Sequence, residues 1–134
     1  MTAGWSQSIS NSPSQRDGAV RTAVRTAPSR CDGLLLVLCD QPAVTVDDLR
    51  RLYVGWRRHP ILIAAALYGG APGLPALFPS WTFSDLLQLR GDRDVRLVLR
   101  RNMDRLVRVP MPNARLDLDS PEDLLQFETG AGER

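Results

Sequence analysis

Five consecutive apolar residues, Leu34-Leu35-Leu36-Val37-Leu38, are preceded by Gly33 and run into Cys39-Asp40-Gln41-Pro42. A short, unbroken apolar run closed by Gly and Pro predicts a strand buried on both faces, as in a parallel sheet covered by helices. In open α/β sheets ligands bind just beyond the carboxyl ends of the strands, so Asp40 stands where a substrate or metal would sit. The plainer alternative is that an Asp close before a Pro starts an ordinary turn.

The flanking segments supply the rest of an α/β pattern. Ala19, Val20, Ala23 and Val24 fall at helical spacing within Gly18 to Thr26, which should lay one face on the sheet. Thr45 with Asp48 three residues on forms a capping box, and Leu49, Leu52, Tyr53 and Trp56 then repeat at i, i+3, i+4 and i+7. This amphipathic helix ends near His59, because Pro60 disfavours helix at the residue before it. Ile61 to Leu67 is a second buried strand, leading into a loop over Tyr68 to Pro75. Leu77, Phe78, Trp81 and Phe83 read as core and lid side chains. Trp81 to Leu89 and Arg93 to Asn102 read as helices separated by Gly91-Asp92, the second burying Val95, Val98, Leu99 and Met103. Leu106 to Val109 is a short strand. Asp117-Leu118-Asp119 enters a last helix capped by Ser120, with Pro121 at its first position.

Composition excludes several classes. The 134 residues are one domain's worth, and 43% apolar content supports an ordinary core. The longest apolar runs are too short to cross a bilayer and the N-terminus lacks the order of a signal peptide, which points to the cytoplasm and to no membrane partner. Cys31 and Cys39 form no C-x-x-C pair and His59 is the only histidine, so a structural zinc site lacks ligands. A formal charge of +2 does not suggest nucleic acid as a partner, and the pairs Arg50-Arg51, Arg57-Arg58 and Arg100-Arg101 read as solvated helix faces.

Four segments carry a resemblance. Cys39-Asp40-Gln41-Pro42, Gly73-Leu74-Pro75-Ala76-Leu77-Phe78-Pro79, Gly91-Asp92-Arg93-Asp94-Val95-Arg96 and Asp117-Leu118-Asp119-Ser120-Pro121-Glu122-Asp123-Leu124 occur in the order and approximate spacing of one family. They resemble the MobA-like nucleotidyltransferases, and among them the molybdenum cofactor cytidylyltransferases. Trp5 to Ser12 is similar to the serine-rich segment preceding this strand in that family. The resemblance implies a partial Rossmann-like α/β fold of the nucleotide-diphospho-sugar transferase kind, a mainly parallel sheet flanked by helices. It implies domain limits of 18–128 for the family's C-terminal part, with a tail at 129–134, while the Ser, Gly, Gln and Asn content of 1–17 predicts a poorly ordered segment.

The implied reaction is transfer of CMP from CTP to the phosphate of a molybdopterin-type cofactor, with release of pyrophosphate; CTP fits this branch better than GTP. Asp40 would be catalytic and, with Asp117, would hold Mg²⁺. Asp117 is preferred to Asp119 as the second ligand, and either acid is equally a good helix start beside the macrodipole. Gln41, Pro42, Gly73, Pro75 and Arg96 would contact substrate, although Asp94 stands where the family's Gly-Ala-Arg has no acid. The acceptor's user, a molybdenum hydroxylase, is the candidate protein partner.

Two departures temper the enzyme reading. The family opens with a Gly-rich loop containing Ala-Ala-Gly, then Arg and Lys, whose backbone N–H groups and ammonium hold the triphosphate. Nothing here matches it, and all 17 basic residues are Arg. A truncated or degenerate member is therefore expected, inactive by itself. The alternative function is a non-catalytic remnant that binds the pterin cofactor or a molybdoenzyme. A third is a glycosyltransferase-like site, since Asp117-Leu118-Asp119 has the D-x-D form that holds a sugar nucleotide's metal.

Overall fold

A tight hairpin organises the sheet. Strands β2 (Ile63–Tyr68) and β3 (Ala71–Pro79) are joined by Gly69-Gly70, both at positive φ (61° and 78°), as a two-residue type I′ turn requires. The Tyr68 to Pro75 segment is thus a turn and the start of a strand rather than a loop. The structure is a computed structural model that describes residues 13–38, 41–89 and 95–115. Its other elements are helices α1 (Pro13–Thr26), α2 (Val46–Arg58), α3 (Phe83–Leu87) and α4 (Arg96–Arg101), strands β1 (Gly33–Leu36) and β4 (Leu106–Pro110), and short 3-10 turns at Ser80–Thr82, Met103–Arg105 and Pro112–Arg115.

The sheet order is β1-β3-β2-β4. β3 is antiparallel to both β1 and β2, and β2 is parallel to β4. The α/β architecture expected from the sequence is present, and the sheet is mixed. Three of its four described strands nevertheless run one way, so β1, β2 and β4 finish at a common end. The hairpin is the reason: a two-residue connection can only return antiparallel, whereas β2 reaches β4 by a long crossover.

Prolines explain why β3 reads as loop in the sequence. Pro lacks an N–H and is confined to edges, strand ends and bulges. The β2–β3 register shifts between Ala65 and Ala66: Ala65 faces Ala76 but Ala66 faces Gly73, so Leu74 and Pro75 bulge from the ladder. Pro75 lies in this bulge, following a cis peptide bond. Pro79 is the last strand residue, and Pro72 lies beyond the reach of β1, whose pairing with β3 stops at Leu36↔Ala76.

Side chains alternate between two apolar layers. On one face Ile63, Ala65, Phe78 and Leu106 pack with Val20, Ala23 and Val24 of α1, Leu86 of α3, and Val98 and Leu99 of α4. On the other, Ala64, Ala66, Leu77 and Val109 pack against Leu52 and Trp56 of α2 and against Met111 and Ala114. β2 is therefore the strand buried on both faces. β1 is not: Leu34 and Leu36 are buried but Leu35 is 40% exposed, β1 standing at one edge of the described sheet.

Helix α2 matches expectation closely. The Thr45–Asp48 capping box is formed in both directions, and Leu52 and Trp56 are buried. Gly55 lets the helix approach β4, where an added Cβ would sit 3.3 Å from Val109 Cγ2. Tyr53 falls outside the buried stripe at 41% exposure, with the Arg57 guanidinium over its ring. Met103 also leaves its expected stripe: α4 ends at Arg101, a 3-10 turn follows, and Met103 is exposed. α1 begins at Pro13, ahead of the expected Gly18. No helix among the described residues is long and apolar enough to cross a membrane.

Candidate functional site where three strands finish

The common end of β1, β2 and β4 is built around one carboxamide. After β1 the chain turns, with Gln41 N–H donating to Leu38 O and Val44 N–H donating to Gln41 O. Gln41 is buried, and its Nε2 donates to Leu74 O and to Ala114 O, each at 2.9 Å. An amide nitrogen has two hydrogens and a carbonyl cannot donate, so these contacts fix which end of the carboxamide is which. Gln41 Oε1 is then left buried, with no hydrogen-bond partner among the described residues. Tyr68 Oη lies 3.4 Å from Nε2, a third and weaker neighbour.

The bulge in β3 makes room for this arrangement. It turns Leu74 O out of the β2–β3 ladder and toward Gln41, at the level where β1 has ended. Gly73, just before it, is required for space: an added Cβ would lie 2.6 Å from Tyr68 Oη, well inside contact distance. Tyr68 thus lies across Gly73, half-buried against the α2-side layer.

The end of β4 and the segment after it are fastened by three further bonds. Met111 N–H donates to Leu67 O at 2.9 Å, and Arg51 Nη1 donates to Pro110 O at 2.8 Å. Asn113 Nδ2 donates to Asp48 Oδ2 at 3.2 Å. Asp48 is itself buried in the first turn of α2, where it accepts from Thr45 N–H (2.9 Å) and Arg51 Nη2 (2.5 Å). Burial pushes its carboxyl upward, but the hydrogen bonds from the Thr45 backbone, Arg51, Asn113 and the Thr45 side chain outweigh that and hold it below the ordinary 3.8.

The sequence-derived site residues separate into groups. Asp40, Asp117 and Asp119 lie outside the described residues, as do Cys39, Asp94, the Trp5 to Ser12 segment and the helix expected after Ser120. Gln41 and Gly73 meet at the strand ends, through Leu74 and Tyr68. Pro75 is at the same bulge with its side chain fully buried, while Pro42 is exposed. Arg96 is the half-buried first residue of α4, whose buried side chains belong to the opposite face from α2. Among the described residues no three His, Cys, Asp or Glu cluster as a metal site. Tyr68, Asp48 and Asn113 are the residues sequence reasoning passed over. Asp48 was visible only as a helix cap, and nothing in the local pattern signals that Asn113, 65 positions on, would reach it.

Comparisons with known proteins bear on the family and the fold. Purine catabolism protein PucB of Bacillus subtilis (strain 168) is 32% identical over 98 residues, covering 72% of this chain and 46% of that protein. The crystal structure of Rv0371c from Mycobacterium tuberculosis H37Rv matches with a TM-score of 0.71 at 25% identity, over 83% of this chain and 58% of that one. Its homolog from Mycobacterium sp. strain JC1 gives 0.72 at 23% identity, over 86% and 58%, a likeness of fold. A complex of Rv0371c with manganese gives 0.68 at 25% identity, over 81% and 58%. The chain spans about half the length of the curated relative it matches and under two thirds of these structures. Residues 9–107 match the model of the MobA-like NTP transferase domain, and it is to this nucleotidyltransferase family that the chain belongs.

Proposed function

We propose that the chain carries the metal-holding and acceptor-binding part of a nucleotidyl-transfer site. The finer reading is transfer of CMP from CTP to the phosphate of a molybdopterin-type cofactor. An acceptor phosphate oxygen bonds to the α-phosphorus, the bond from that phosphorus to the β-bridging oxygen breaks, and pyrophosphate leaves. The observation that carries the proposal is the bond from Gln41 Nε2 to Ala114 O. By chain connectivity Asp40 lies within about 4 Å of Gln41 and Asp117 within about 11 Å of Ala114, Cα to Cα, and these are the two residues that the bond joins.

Two carboxylates with the remaining positions left to phosphate and water suit a hard divalent ion, and Asp40 and Asp117 would be its protein ligands, with Mg²⁺ the proposed ion. When bound, such an ion neutralises charge on the α-phosphate and orients it for in-line attack. The printed title of one structural relative records manganese with that protein. Gln41 and Asp48 contribute by holding the two acid-bearing segments in register. Tyr68, half-buried, sets its hydroxyl beside Gly73 and Gln41 at the same end.

Calorimetric titration with Mn²⁺ and Mg²⁺ tests the metal site, and Asp40→Asn or Asp117→Asn is expected to weaken binding at least tenfold. Unchanged affinity in both variants overturns the assignment. A second reading is that the chain binds the pterin cofactor or a molybdenum hydroxylase without turning over nucleotide. Pyrophosphate release from CTP with Mg²⁺ and molybdopterin separates the two. Because PucB is named for purine catabolism, purine nucleotides belong in the same assay.

A further inference from the structure

We propose that Gln41 is a positioning residue, a crosslink between the β3 bulge and the segment after β4, and not a substrate ligand as the family resemblance implies. The proposal rests on the metal-site reading only for its consequence at Asp117.

Three observations carry it. Gln41 is only 4% exposed, and both Nε2 hydrogens are engaged by backbone carbonyls, Leu74 O and Ala114 O. Its remaining polar atom, Oε1, is buried, with no hydrogen-bond partner among the described residues. No part of the carboxamide is therefore presented to a ligand in solution. Its acceptors come from residues 33 and 73 positions away, so a single side chain joins three stretches of chain that no backbone ladder joins at that level. A carboxamide suits this place for a chemical reason: only a group with two hydrogens on one atom can serve two converging carbonyls. Glu in the same place would set a carboxylate against both carbonyls, and Met, of similar length, would serve neither.

The geometry then assigns Gln41 a part in setting where the chain emerges beyond Ala114 toward Asp117. Other bonds hold that segment from the α2 side, through Arg51 and Asn113, and from β2, through Leu67. Among the described residues, Gln41 is the side chain that ties it to the exit from β1.

The test uses the full chain and Mn²⁺ as the probe. In wild-type protein the Gln41 side-chain amide should give two protected, slowly exchanging nitrogen-bound proton signals, a measurement that needs no variant. In Gln41→Met the Met111 and Ala114 backbone amides should lose protection at least tenfold, and the Mn²⁺ dissociation constant should rise at least tenfold. Val98→Ala, a core change in the α4-side layer, should lower stability while leaving both quantities as in wild type. Fast-exchanging Gln41 side-chain protons, or a Gln41→Met variant with wild-type protection at Met111 and Ala114, overturn the proposal. If wild-type protein binds no Mn²⁺ yet Gln41→Met loses protection there, the crosslink stands and the metal-site reading fails.

Discussion

The two ends of helix α2 are fastened by different physics. At its C-terminal end Trp56 is buried by packing against the start of β1, so closely that a Cβ on Gly33 would come 3.2 Å from Trp56 Cζ2. Its indole Nε1 is buried and makes no hydrogen bond. At the N-terminal end Asp48 and Arg51 hold the end of β4 and the segment after it through directional bonds to Asn113 and Pro110. Packing contributes more free energy but tolerates small slips, whereas a hydrogen bond weakens steeply with distance and angle. The directional fastening lies at the end where the candidate acids would have to be placed accurately.

The largest effect should come from the packed end. Trp56→Ala should cost about 3 to 5 kcal/mol in urea unfolding, through loss of buried area and the cavity left behind. Trp56→Phe should cost much less, because the lost N–H has no partner to orphan; a loss as large as that of Trp56→Ala would mean the indole nitrogen matters and the contrast fails. Next is Gln41→Met, which leaves two carbonyls without their donor and should cost about 2 to 3 kcal/mol.

Asp48 sharpens the comparison through pH. Its folded pKa lies below the ordinary value, so its stabilising effect is fully present above about pH 4 and is lost as the pH falls through the folded value. The stability difference between wild type and Asp48→Asn should therefore be constant near neutrality and shrink below pH 4. A difference that stays constant down to pH 2 would contradict the bonded carboxylate. At neutral pH, loss of the cap in Asp48→Ala should cost about 1 to 2 kcal/mol.

The smallest effects belong to the other end of the sheet, where the strands begin. Trp81 donates from Nε1 to Ile61 O, and Arg105 lies 5.3 Å from its ring centroid, but both side chains are exposed. Arg105→Ala should change stability by about 0.5 kcal/mol or less.

Elements whose causes are local were legible in the sequence. The α2 cap, Leu52 and Trp56 follow from spacing alone, and β4 from its apolar run. β3 was not, because its three prolines argue against a central strand until the bulge and the short reach of β1 are known. The exposure of Leu35 was hidden for a related reason: an apolar run reports that a strand is apolar, not where it stands in the sheet. At the site, the convergence of Gln41 on Leu74 and Ala114 uses backbone carbonyls, which every residue has and no side-chain pattern marks.

Glycine serves two unlike purposes within five residues of the β2–β3 hairpin, and handedness tells them apart. At Gly73 the obstacle is room, since an added Cβ would strike the Tyr68 hydroxyl. At Gly69 and Gly70 an added Cβ would meet nothing within 4 Å, and only the backbone angles exclude ordinary side chains. Those angles are the natural ones for a residue of opposite chirality. D-Alanine introduced at Gly70 by semisynthesis should therefore raise stability by about 0.4 to 1 kcal/mol, by narrowing the unfolded chain's choices without altering the folded turn. L-Alanine at the same atom count should lower it, a difference written entirely in the mirror sense of one carbon.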